Sequence, residues 1–131
     1  MLGSGVPITA VGIDQTRRVR FGGAEIERFA RCGRLGAILA TEMRAWMTYS
    51  GEEFEVPHDP LTALAMLQPE LFAFTGPSAV EVADGAEGRP AGAVRRLDAP
   101  GSVRVAVDVD VPAATAALAD RIAAGLGERR R

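Results

Sequence analysis

The sequence predicts an α/β fold, with α+β as the neighbouring alternative, and three observations carry that expectation. Residues 7–13 form an apolar run that ends at Asp14-Gln15-Thr16, the pattern of a buried parallel-type strand with polar groups at its carboxyl end. A helical middle follows, in which apolar residues recur every three to four positions. Late in the chain Val103, Val105, Val107 and Val109 alternate with Arg104, Ala106 and Asp108, which reads as a strand. The expected architecture is one parallel-type strand, a helical middle, late antiparallel strands and a C-terminal helix, in a single domain over residues 1–131.

Each element has its own warrant. After the first strand, Val19 and Phe21 continue an extended segment until Gly22-Gly23 break it. Ile26, Phe29 and Ala30 stand at helical spacing and predict two turns over 24–31. The strongest periodicity is that of Leu35, Ile38, Leu39, Met43, Trp46 and Met47, which predicts a helix over 35–49 stopped by Ser50-Gly51. A polar loop, 52–57, leads to Asp59 as N-cap and Pro60 at the first helical position, where a missing N–H costs nothing. Leu61, Leu64, Ala65 and Leu67 supply that helix's buried side. Pro69 closes it or starts another turn around Leu71-Phe72. Segments 79–83, 91–97 and 103–109 read as strands between Gly, Asp and Pro turns, and Pro112 opens a last helix over 113–126 with Leu118, Ile122 and Leu126 inward. The Arg129-Arg130-Arg131 tail complements that helix's dipole. A first strand apolar on both faces wants neighbours on both sides, and the chain supplies few. That predicts a piece of a larger unit, prone to self-association.

Composition removes several function classes. The chain has 131 residues, 15 basic against 17 acidic, and a net charge of −2, so its overall field does not draw in nucleic acid. Every basic residue is arginine, which excludes Schiff-base chemistry and a phosphate-binding lysine. One cysteine, Cys32, excludes an internal disulfide and a multi-cysteine zinc site. Arg28, Arg31 and Arg34 surround it in sequence, but without a second histidine to serve as base its plain reading is inert packing. The first residues carry neither the basic nor the apolar region of a signal peptide, and no apolar run nears the roughly 18 residues of a membrane span. A soluble, cytoplasmic protein is expected.

The chemistry concentrates at His58-Asp59-Pro60. The only histidine, a proton carrier near neutrality, stands beside a carboxylate that can ligate a hard cation such as calcium. A solvated loop histidine and an ordinary N-cap aspartate are the plainer readings of the same letters. Asp14 and Thr16 are further candidates because ligand sites of open α/β sheets form beyond the carboxyl ends of strands. Trp46 and Tyr49 can be core residues or a stacking wall for a flat base. Asp108 and Asp110 invite a metal, although Asp110 suits a helix cap better. Glu52, Glu53 and Glu55 read as a solvated acidic loop.

These residues also carry a resemblance. Pro7-Ile8-Thr9-Ala10-Val11-Gly12-Ile13-Asp14-Gln15-Thr16 resembles the P-I-T-x-V-x-L-D-V-T segment of the inosine-uridine preferring nucleoside hydrolases. Pro57-His58-Asp59-Pro60-Leu61, followed by Leu67-Gln68-Pro69-Glu70-Leu71-Phe72, is similar to that family's H-D-P-L-A and D-P-x-L-F stretch. The 103–110 segment is similar to its final strand. The resemblance implies a nucleoside hydrolase-like but incomplete α/β fold, corresponding to the C-terminal part of an N-glycosidase that splits ribonucleosides into base and ribose. It implies His58 as the acid for the departing base, Asp59 as a calcium ligand, and Ca2+ as cofactor in a site this chain leaves incomplete. The family's D-x-D-x-G-x-D-D motif and its asparagine-rich ribose segment are absent, and the chain has no asparagine. The implied partners are a ribonucleoside and a complementing N-terminal chain or a second copy. A non-catalytic binding or assembly module is the alternative.

Overall fold

A computed structural model describes residues 4–85 and 90–127. The start of the chain before Ser4 and the Arg129–Arg131 tail lie outside the described residues. Strand β1 (Ile8–Ala10) is followed by a single helical turn, α1 (Ile13–Thr16), then by α2 (Gly23–Ala30), α3 (Gly33–Ser50) and α4 (His58–Leu67). A 3₁₀ turn (Pro69–Leu71) leads into β2 (Phe72–Phe74), after which come β3 (Val80–Val82), β4 (Val94–Arg96), β5 (Val103–Val109) and α5 (Val111–Gly127). The order β1-β5-β2 makes a three-stranded sheet, and β3 and β4 form a separate antiparallel pair. The α/β class, the parallel-type first strand and the C-terminal helix are as expected. Strand β1 pairs in parallel with β5, Ile8 opposite Val103 and Ala10 opposite Val105, while β2 pairs with β5 antiparallel.

Several local expectations are corrected. The first strand stops at Ala10, because the Gly12 carbonyl accepts from the Gln15 and Thr16 amides and turns the chain into α1. Asp14 and Thr16 are therefore helical. Val19 and Phe21 are buried outside any named strand, although Phe21 exchanges two backbone hydrogen bonds with Glu55. Helix α4 begins two residues early: the Leu61 amide donates to the Pro57 carbonyl, Pro57 takes the N-cap position, and Asp59 makes no capping bond. Pro69 does start a further turn, but Phe72, expected within it, instead begins the strand β2. Leu35 and Ile38 are exposed, because α3 packs through Gly36, Ala40 and Met43 instead. Leu67 likewise points outward.

The valine alternation of β5 is broken for a definite reason. Ala73 pairs with Asp108 but Phe74 pairs with Ala106, so Val107 is an extra residue in the ladder. Such a bulge exchanges the faces of the strand. Ala106 enters the core and Val107 stays in solvent. The core joins the helices to the sheet through Phe21, Phe29, Leu61, Leu64, Ala106 and Val109. Gly51, at φ 72°, ends α3 where a left-handed residue is needed. Asp110 caps α5 through its carboxylate, which accepts from the Ala113 amide at 3.1 Å. Among the described residues no helix is long and apolar enough to cross a membrane.

Candidate functional site

Two chain segments 42 residues apart meet at the end of the first β-segment. The turn at Gly12 buries Thr16 and brings its hydroxyl oxygen to 2.7 Å from His58 Nδ1. The same hydroxyl lies 3.3 Å from the Ile13 carbonyl. A threonine has one proton to give. When it donates to Ile13, its oxygen accepts from Nδ1–H, and the ring is held with Nε2 as the nitrogen left for other partners. That arrangement suits both the Nδ1–H tautomer and the imidazolium.

His58 and Asp59 line one cleft of about 650 Å³. Its floor is apolar, with Phe29 and Met43, and Trp46 forms part of the rim with its indole half exposed. Tyr49 is 83% exposed and does not line the cleft, although its ring lies 5.6 Å from that of Trp46. The imidazole, the neighbouring carboxylate and one flat aromatic surface are thus together in one hollow, and Tyr49 stands outside it.

The remaining candidates are engaged elsewhere. Asp14 accepts from Gln15 Nε2 at 2.9 Å, and Gln15 in turn bridges to the Val107 carbonyl and to Arg18. Arg18 pairs with Asp108 at 2.5 Å and holds that carboxyl below its ordinary range. Asp108 and Asp110 therefore serve an ion pair and a helix cap. The Cys32 thiol donates to the Arg28 carbonyl at 3.3 Å, and Arg28 is paired with Asp120.

Sequence reasoning missed two cleft residues, Glu42 and Glu55. Glu55 was read as part of a solvated loop. Its Oε2 is instead buried and without a hydrogen-bond partner. Burial pushes its carboxyl above the ordinary value, while a hydrogen bond with the Val56 backbone and the nearby His58 pull the other way. The available signal was its place three residues before the histidine, on a segment that pairs with Phe21.

No family model matches the chain. It is 37% identical over 75 residues to the pyrimidine-specific ribonucleoside hydrolase RihA of Klebsiella pneumoniae subsp. pneumoniae, a match covering 53% of this chain and 24% of that protein. The RihA of Salmonella typhimurium is 35% identical over the same length. Among solved structures, a purine-preferring ribonucleoside hydrolase from Gardnerella vaginalis superposes with a TM-score of 0.79 at 25% identity, covering 97% of this chain and 43% of that one. A plant nucleoside hydrolase, PpNRh1, gives 0.76 at 26% identity, covering 94% of this chain and 43% of its own. The chain is similar to part of these ribonucleoside hydrolases and shares their fold over that part. Its match spans about a quarter of the length of those curated relatives. The nucleoside hydrolase resemblance implies calcium, and the fit is poor. Among the described residues no three His, Cys, Asp or Glu side chains gather where they can hold a metal ion. Asp59 offers one carboxylate, where calcium takes six to eight oxygens.

Proposed function

We propose that this chain supplies the acid-bearing, base-facing side of a ribonucleoside hydrolase, an N-glycosidase releasing a free base and ribose, and that turnover needs groups from outside it. The observation that carries this reading is that His58, its ring held by Thr16, and Asp59 line one cleft with an apolar floor and an indole at its rim. A leaving base departs more readily when a ring atom is protonated as the glycosidic bond breaks, and a positioned imidazolium is suited to that transfer. Thr16 fixes the ring through Nδ1, so the proton would leave from Nε2. Trp46 offers a face for the base, with Tyr49 as a weaker contributor from beside it. Asp59 would add one oxygen to a calcium ion whose other ligands lie on a complementing N-terminal chain or on a second copy. We place this activity in the cytoplasm, and read residues 1–131 as one domain.

The second reading, a non-catalytic binding or assembly module, is favoured by the lack of a metal-ligating cluster among the described residues. One experiment separates the two. The chain is mixed with purine and pyrimidine ribonucleosides and calcium, alone and with an N-terminal chain carrying D-x-D-x-G-x-D-D, and reducing-sugar release is followed. The hydrolase reading expects no release by the chain alone and His58-dependent release by the pair. Turnover by the chain alone would overturn the claim of dependence. Silence in both mixtures, with no calcium binding, would favour the module.

A further inference from the structure

His58 is held by a residue that has little of its own to hold it. Thr16 closes α1, a single turn of four residues whose N-cap, Gly12, makes no side-chain capping bond. So short a helix does not fix its own position, because nucleation costs more than its few bonds return. Gln15, the residue beside Thr16 and only 6% exposed, supplies the fastening. Its Nε2 donates to the Val107 carbonyl at 3.2 Å and to Asp14 Oδ2 at 2.9 Å. Its Oε1 accepts from Arg18 Nη1 at 2.8 Å, and the same Nη1 meets Asp108 Oδ1 at 2.5 Å. Chemistry allows the amide one orientation. Turned over, its oxygen would face a carbonyl and a carboxylate, and its NH2 would face a guanidinium. Val107 is the extra residue of β5, so this side chain joins the one-turn helix to the bulge.

We infer that Gln15 is a positioning residue for His58: by tying α1 to the β5 bulge it keeps the Thr16 hydroxyl at Nδ1. Thr16, Gln15, Arg18 and Asp108 do not line the cleft, so they act through the ring rather than on an occupant. With the Thr16 proton given to Ile13, the tie secures a proton on Nδ1. Nε2 is then the nitrogen that gives up and regains the proton passed to a departing base. That catalytic meaning rests on the ribonucleoside reading above; the tie itself does not.

Gln15→Met keeps the length of the side chain and removes both its donor and its acceptor. Gln15→Glu keeps the shape and sets a carboxylate against the Val107 carbonyl. In nitrogen-detected spectra of His58, taken in alkaline buffer so that tautomer rather than charge is read, both variants are expected to lose the single-tautomer pattern as the Nε2–H form appears. A merely structural role would lower the melting temperature and leave the tautomer as it was. A destabilised variant with the wild-type spectrum therefore overturns the inference. The wild type supplies a second test that holds even where a variant fails to fold. The chain has two glutamines, Gln15 and Gln68, and no asparagine, so its side-chain amide spectrum contains two pairs of signals. The Gln15 pair is expected to exchange with water at least about tenfold more slowly than an exposed amide, since both protons are bonded and the side chain is buried. Exchange at the exposed rate overturns the tie. Either failure leaves the ribonucleoside reading standing, because that reading is decided by sugar release.

Discussion

At the scale of single residues, the site depends on one threonine and one glutamate that do not stand beside each other in sequence. Thr16→Val removes the oxygen at 2.7 Å from His58 Nδ1 while keeping the volume of the side chain. The expected cost is about 1 kcal/mol of stability, and the imidazole loses its fixed tautomer. Because His58 is the only histidine, nitrogen-detected histidine spectra resolve this directly. One tautomer dominates in the wild type and a mixture appears in the variant; an unchanged spectrum would show that the contact does not orient the ring. Glu55 makes a prediction of opposite character. Burial raises its carboxyl above the ordinary value near 4.5, so the folded chain holds this proton more firmly than the unfolded chain does. Stability therefore falls as pH rises through that interval, by linkage. Glu55→Gln, permanently neutral, escapes the loss. Its melting temperature is expected to exceed that of the wild type at pH 7 and to converge with it at pH 4. A gap of the same size at both values would mean that the carboxylate is not desolvated. Asp108 runs the other way: Arg18 lowers its carboxyl, and the small contribution of that exposed pair fades as pH falls.

At the scale of elements, α2 and α3 meet through a glycine. A Cβ built at Gly36 would lie 2.0 Å from the Phe29 carbonyl oxygen and 3.0 Å from Cys32 Cβ. Backbone cannot yield as a flexible side chain does, so Gly36→Ala is expected to destabilise by about 1–3 kcal/mol. Gly125 in α5 has nothing within 4 Å, and Gly125→Ala should instead gain up to about 1 kcal/mol through helix propensity. Chemical denaturation of the two variants, read together, distinguishes close packing from propensity; destabilisation of similar size in both would remove the packing account. The same helix shows what the letters could and could not say. Its period was plain, and so were the αL stop at Gly51 and the Asp110 cap of α5, because local chemistry decides those. Which side of α3 faces inward was not plain. Leu35 and Ile38 were the natural choice, yet the close approach at Gly36 turns the small residues inward and leaves the large ones outside. The valine alternation of β5 failed similarly, since a bulge depends on the partner strand and leaves no trace in the strand's own sequence. His58 and Asp59 were legible because their types are rare and adjacent. Glu55 was not, because a carboxylate in a polar loop looks the same whether or not the fold closes over it.

At the scale of the whole molecule, the sheet is unfinished. Among the described strands β1 has β5 on one side and nothing on the other, and the apolar side chains of Val6 and Ile13 flank its ends in solvent. Val107, whose carbonyl is bridged by Gln15 from α1, adds a third exposed apolar residue close by. A free parallel edge beside apolar side chains is a template for another chain. The chain covers 43% of each of those solved structures, so both have further structure outside the matched part. The chain in isolation is therefore expected to self-associate with rising concentration, as seen by sedimentation velocity. Charges placed where a partner would sit, Val6→Arg together with Ile13→Arg, should restore the monomer without altering the far-ultraviolet spectrum, because both side chains are already more than half exposed. A complementing N-terminal chain should compete for the same edge and shift the self-associated species to a one-to-one complex, and the arginine variants should block that complex too. If the wild type stays monomeric at every concentration and binds no such chain, the open edge of β1 is a tolerated surface and the dependence on a second chain loses its physical ground.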